Sequence, residues 1–488
     1  MEKASHANFE PAVFPKLRAN VYCAFRLVLL STNSLRPQRR SRASFLGRIV
    51  GALLVALSVA CATPWSVSAQ TCTVNASTGT PDAVFDAVWT LNGPGTGNEP
   101  AGGPGWTGAD STYSIILPNG DSAFFFSDSY IGEYPTVSGD GTVSTDANGL
   151  RTRAVNCGAP LCNPPTSLYR AHNSVVIRNG LTGTLTTLAG PPDITGYSTS
   201  YFAPPLALIT GHFYWMGDSV VVQVDAYGTK KVWTFLMEFD GGWVYHGSAI
   251  AQLSLPNLTI EAIKPLTNVP TNNVISWGSA MWLDGGYGAS SLYIYGMQGN
   301  NPNGKLPFIA RSNPGFGLDN IADTNNWSVW NGSQWTAGLT SAAPIIGAAG
   351  DPLNSGDSIS DEYSVKKVRS GAGTTYLLVA QDTKAPYGAW KDVVLYSACS
   401  PQGPFSAKQI VYSTPETGAR QVPGMTPTQS LSGQLLTYNP HAHPQFTNRG
   451  DLLISYNLNA SNSGDLIYAD AYRPRFIRVH ISGLRRDP

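Results

Sequence analysis

From about Trp106 onward, apolar and polar residues alternate in short runs, each broken by Gly, Pro, Asn or Asp. Beyond the N-terminal region, no stretch longer than about ten residues keeps a helical apolar spacing. Tyr113–Leu117 and Ala123–Ser127, joined by Pro-Asn-Gly-Asp, predict a hairpin that Ser174–Arg178 and Thr184–Leu188 extend. A second group comprises Phe213–Val224, Lys231–Phe239, Ala249–Leu255 and Thr259–Lys264, and a third Ile275–Leu283, Leu292–Met297, Pro307–Arg311 and Trp327–Trp330. The fourth holds Glu362–Val368, Tyr376–Asp382, Val393–Ser397 and Gln409–Ser413; the fifth holds Leu435–Tyr438, Gln445–Phe446, Leu452–Asn457 and Phe476–Ile481. Five groups of about four strands predict an all-β fold, a five-bladed β-propeller of four-stranded antiparallel blades over 106–488. A pair of packed sheets is the competing arrangement. Residues 70–105 are turn-rich and expected to wrap the ring, whose closure needs an edge strand from the N-terminal side.

The N-terminus changes the charge balance. Five arginines between Arg36 and Arg48 precede an apolar stretch, Ile49 to Ala62, and then Val67-Ser-Ala69. This predicts a signal peptide within 1–69, cut after Ala69, and a secreted or periplasmic protein. Cys61 allows a lipid-anchored form. The leader carries nine of the 31 basic residues and two of the 31 acidic ones, leaving 22 against 29, a net charge of −7. That sign argues against nucleic acid or an anionic membrane as partner, and no later apolar run reaches bilayer length. A monomer is expected. Cys72, Cys157, Cys162 and Cys399 remain, an even number that favours disulfides, with three pairings open.

Charged residues are only 13% of the chain, so those set among apolar strands stand out. A propeller gathers the starts of its innermost strands around one axis. Asp110 opens the first blade and Asp128 ends the run Phe124-Phe-Phe-Ser-Asp128. Asp218 lies in the second blade, where a structural role is favoured. Asp361 and Glu362 precede the fourth; alternation lets only one of them face the axis, and Glu362 is preferred. His441 and His443 share a face in the fifth blade, as do Arg473 and Arg475, which suit hydrogen bonding and anion or hydroxyl recognition. No third ligand accompanies the histidines, so no metal or other cofactor is predicted, although structural calcium at acidic axial loops is a further reading. Trp106, His172 and Asn173 complete the candidate substrate-binding set. Two carboxylates framed by aromatics and imidazoles are the minimum equipment of a glycoside hydrolase. Serine-nucleophile, phosphate-loop and dinucleotide motifs are absent.

Several strings here resemble the secreted propeller proteins of the domain-of-unknown-function families 4185 and 5005. They are Trp106–Ser114, Phe124–Gly132, His172–Val176, Asp361–Val365, Tyr438–Pro444, Leu453–Asn457 and Tyr472–Phe476. The resemblance implies a five-bladed propeller distantly similar to furanoside-cleaving hydrolases, some relatives acting on D-arabinofuranose polymers through a carboxylate pair. Carried over, Asp110 would be the base and Glu362 or Asp361 the acid. The expected function is therefore a secreted glycoside hydrolase acting on a furanosyl-containing polysaccharide or oligosaccharide; the alternative is a non-catalytic carbohydrate-binding propeller.

Overall fold

The computed structural model describes residues 72–89, 105–132, 140–155, 171–191, 199–205, 211–271, 275–288, 290–299, 304–347, 356–371 and 373–485. The leader, Cys61, and the Cys157 and Cys162 pair lie outside them. The fold is the expected propeller. Its first blade orders Tyr113–Ile116, Ser122–Phe126, Ser174–Arg178 and Leu185–Leu188 from axis to rim. The second contains Phe213–Gln223, Lys230–Phe239, Tyr245–Leu253 and Ile260–Pro265. The third contains Ile275–Asp284, Ser291–Gln298, Leu306–Ser312 and Ser328–Trp330, plus an unexpected fifth strand, Trp335–Ala337. The fourth contains Ser364–Ser370, Gly373–Gln381, Asp392–Ala398 and Gln409–Ser413. Leu435–Asn448, Asp451–Ala460 and Arg473–His480 make the fifth, completed at its rim by Thr80–Pro81.

That last strand is the closure foreseen from the N-terminal side. Thr80 and Pro81 pair with Arg478 and Ile477, and a Cys72–Cys399 disulfide ties the same segment to the fourth blade. A short helix, Ala83–Val88, follows; the Asp82 side chain caps it by accepting from Phe85 N at 2.9 Å. Phe85 and the following Trp89 turn inward, where Trp89 meets Trp106, Phe124 and Phe126 edge-on. Large aromatics and branched aliphatics fill the spaces between blades, as sheet-on-sheet packing requires.

Bulges recur on the inner strands. They lie between Met216 and Ser219, Trp277 and Ala280, and Tyr438 and His441. At the third-blade bulge, Gly278 has φ +112°, and a Cβ there would sit 2.4 Å from that of Phe235. The second-blade bulge turns Asp218 into the axis, fully buried. Its carboxylate accepts from Met281 N at 2.9 Å and from Lys366 Nζ at 2.8 and 3.0 Å, so one side chain joins three blades. The far ends of the inner strands line a cavity of about 640 Å³ that includes Ser114, Val220, Trp282, Lys366 and Pro444. Replacing Asp218 by Ala leaves the Lys366 ammonium buried and unpaired. We expect a loss of about 3–5 kcal/mol, read by denaturant unfolding; a loss below about 1 kcal/mol, the range of exposed ion pairs, contradicts this role.

Candidate functional site

At the opposite end of the axis, the chain leaves the strand Gly105–Ala109 and turns before the first blade begins. The turn passes through Ser111 at φ 70° and Thr112 at φ 54°, two successive non-glycine residues in the left-handed region. Such a pair persists only where surrounding bonds impose it. Ser111 Oγ donates to Ser127 Oγ at 2.6 Å, Thr112 Oγ1 to Asn457 Oδ1 at 2.6 Å, and Ser127 N to Asp110 O at 3.2 Å. The result presents the Asp110 carboxylate to the axis, where it accepts from Tyr438 Oη at 2.8 Å. Asn459 Nδ2 donates to the same phenol oxygen at 3.1 Å.

Glu362 enters from the segment before the fourth blade, and His441 from the fifth-blade bulge that follows Asn439, itself at φ 49°. His441 Nε2 lies 3.8 Å from Glu362 Oε2, and its ring packs 4.1 Å from that of Tyr113. Both groups are buried. Neither ring nitrogen of His441 nor Oε2 of Glu362 has a hydrogen-bond partner among the described residues. Native proteins rarely leave buried polar atoms in that state, so these atoms mark a place for water or ligand hydroxyls.

Burial shifts Glu362, Tyr438, His441 and His443 toward their neutral forms. The Glu362 carboxyl is raised well above its ordinary 4.5, by burial first and then by the Asp110 carboxylate, with Ser111 and Asn439 pulling the other way. Burial, with help from the Asp110 carboxylate, raises the Tyr438 phenol well above 10. His441 is held well below 6.5 by burial and by His443, and burial with Lys366 holds His443 at about 3. The site therefore presents neutral imidazoles beside a Glu362 carboxyl biased toward its protonated form.

Residues 163–481 match the family described as a domain of unknown function, DUF5005. The chain belongs to this family. No curated protein sequence matches it. Among solved structures, a protein of Bacteroides ovatus assigned as a hydrolase superposes with a TM-score of 0.56 at 20% identity, over 82% of this chain and 89% of that one. An α-L-arabinofuranosidase from Podospora anserina gives 0.36 at 11% identity, over 84% and 98%. An exo-β-1,3-galactanase from Phanerochaete chrysosporium gives 0.37 at 11%, over 76% of this chain and 60% of that one, so the chain spans less than two thirds of the galactanase. The first of these likenesses is a likeness of fold.

In this DUF5005 protein the other sequence-predicted residues divide sharply. Asp361 lies at the surface, paired with Lys305, while its neighbour Glu362 faces the axis. His443 lies deeper, bonded to Ser114 Oγ at 2.6 Å and Ser455 Oγ at 2.9 Å. Asp128 is buried and receives Trp215 Nε1 at 3.1 Å and His172 Nδ1 at 2.9 Å. Asn173 is engaged by the backbone, donating to Phe202 O and Tyr214 O and accepting from Phe202 N. Trp106 is buried against Trp89 and Phe126, away from solvent. Arg473 and Arg475 form ion pairs with Asp470 and Asp86, and Arg475 also meets Glu416.

Sequence reasoning did not single out Tyr438, Tyr113, Ser111 or Asn439 as site residues. Tyr438 sits within the string that ends in His441-Ala-His-Pro444, and its place beside that polar run was the available signal. Arg153 was missed as well. It is buried and donates to Thr107 O at 2.8 Å, Leu466 O at 2.7 Å and Tyr472 O at 3.0 Å, fastening the strand that leads to Asp110. Among the described residues, three potential metal ligands converge only at His212, Asp240 and His246 on the second blade, not at the axis. Those two imidazoles stack at 4.2 Å, and each bonds a carboxylate, His212 Nδ1 to Glu238 at 2.7 Å and His246 Nε2 to Asp240 at 3.0 Å.

The raised Glu362 pKa has a defined effect on stability. Its contribution is fully present below the unfolded value of 4.5 and is lost as pH rises toward the folded value, because ionisation is harder in the fold than out of it. Replacing Glu362 by Gln removes that loss. Denaturant unfolding at pH 4 and pH 7 is expected to show little difference from the parent at the lower pH and a more stable variant at the higher. A variant less stable than the parent at pH 7 contradicts this assignment.

Proposed function

We propose that this protein is a secreted glycoside hydrolase that cleaves a furanosyl-containing polysaccharide, with Glu362 as general acid and Asp110 as the base or nucleophile. The observation that carries the reading is the meeting of two carboxyl groups at one end of the axis, from the turn before the first blade and the segment before the fourth, with Glu362 biased toward its protonated form by burial first and by the Asp110 carboxylate second. Glycosidic cleavage needs such a pair. The leaving oxygen departs poorly unless protonated, and an oxocarbenium-like centre needs a carboxylate to activate water or to attack it. Glu362 is equipped for the first task by burial. Asp110, oriented by Tyr438, is equipped for the second.

His441 supports this division. As a neutral imidazole beside Glu362, it can bond a sugar hydroxyl through either unpartnered nitrogen without adding charge. No described helix is long and apolar enough to cross a membrane. The Cys72–Cys399 disulfide and the leader-like N-terminus favour an oxidising compartment outside the cytosol.

Arabinan, arabinogalactan and xylan provide the test, with released reducing ends as readout. Asp110→Asn and Glu362→Gln are each expected to lower hydrolysis of the polymer cleaved by the parent by about 10²–10⁴-fold. The Glu362→Gln loss should shrink on a dinitrophenyl furanoside, whose leaving group needs no proton. In the parent, the rate on polymer should fall as pH rises through the Glu362 pKa. Undiminished polymer cleavage by either variant contradicts the assignment. Reducing ends absent from every polymer would favour the carbohydrate-binding reading.

A further inference from the structure

The face that carries Asp110 and Glu362 also carries the turns between the second and third strands of each blade. In the second blade that turn runs from Asp240 to Val244 and places Trp243 at φ 64°, with 52% of its surface exposed. A bulky residue in the left-handed region is strained, and an exposed indole contributes little to the core. Yet the turn is built to hold it. Asp240 Oδ1 accepts from Gly242 N at 2.8 Å and Val244 N at 3.0 Å, Asp240 O accepts from Trp243 N at 2.9 Å, and Asp240 Oδ2 bonds His246 Nε2 at 3.0 Å.

The indole extends a shelf of rings. Trp243 lies 5.2 Å from Trp215, tilted by 40°, and 6.1 Å from Phe213, which stacks on His172 at 3.8 Å. Asp128 Oδ1 holds both Trp215 Nε1 and His172 Nδ1. Its neighbour Ser127 accepts from Ser111 Oγ in the turn that presents Asp110, and Asp128 O accepts from Tyr472 Oη at 3.0 Å. One bonded chain therefore runs from the axial carboxylate to the aromatic shelf.

We infer that Trp243, Trp215 and His172 form a subsite for a sugar ring of a glycan chain whose scissile linkage lies at Asp110 and Glu362, with Asp128 as its positioning residue. This rests on the carbohydrate reading above and adds that the substrate is a chain reaching across the second blade. The aromatic faces suit the C–H faces of a sugar, and the half-buried imidazole suits a hydroxyl at its edge.

Affinity electrophoresis of the full chain carrying Asp110→Asn, in gels holding arabinan, arabinogalactan or xylan, tests the subsite against the same protein with Trp243→Gly added. Glycine accepts φ 64° without strain, so the melting temperature should match or exceed that of the parent. The dissociation constant for the retarding polymer should rise about tenfold or more. Equal retardation overturns the subsite and leaves the hydrolase reading standing. Weaker retardation together with a melting temperature lowered by several degrees overturns it too, because Trp243 would then be a structural support. A parent retarded by none of the three glycans overturns the carbohydrate reading and the subsite with it.

Discussion

Charge on the axis of a five-bladed ring has little water to solvate it, and the organisation of this molecule follows from how each axial charge is handled. Asp218 is fully buried but is met by Lys366 and by the Met281 amide. Through these two bonds the Asp218 carboxylate ties three blades together. Glu362 is buried beside the neutral His441 imidazole, with the Asp110 carboxylate in its field. The inexpensive solution is to keep its proton. One end of the axis thus carries a structural charge pair, and the other an acid that can give its proton away.

Three of the described non-glycine residues in the left-handed region lie at this same end. Ser111, Thr112 and Asn439 all occupy the left-handed region, and each belongs to a turn or bulge that delivers a site residue. Bonds from Ser127, Asn457 and Arg153 fix these turns from neighbouring elements. Strained turns at the site that are held from around the ring are the pattern of a preorganised pocket rather than of loose loops.

Much of the architecture could be read from the chain because alternation and turn chemistry are local. The strand groups, and the rule that only one of Asp361 and Glu362 can face the axis, followed from a period of two, while the N-terminal closing strand followed from the need of a ring to close. What could not be read depended on closure. Leu435–Asn448 is one strand, although Asn439-Pro440 reads as a break, because a bulge absorbs those residues and carries His441 into the axis. Trp106 and Asn173 looked like ligand contacts, but the helix Ala83–Val88 and the second blade come to cover them, a packing that no local pattern announces. The Asp110 partner Tyr438 was hidden for the same reason, since the two are 328 residues apart.

Everything proposed for this site requires that Asp110 and Glu362 share one electrostatic field and that Glu362 keeps its proton at neutral pH. Difference infrared spectroscopy of the parent against Glu362→Gln at pH 7 tests it directly, repeated in an Asp110→Asn background. The expected result is a protonated-carboxyl stretch that belongs to Glu362, with a titration midpoint that moves down when Asp110 loses its charge. An ionised Glu362 at pH 7, or a midpoint indifferent to Asp110, would contradict it.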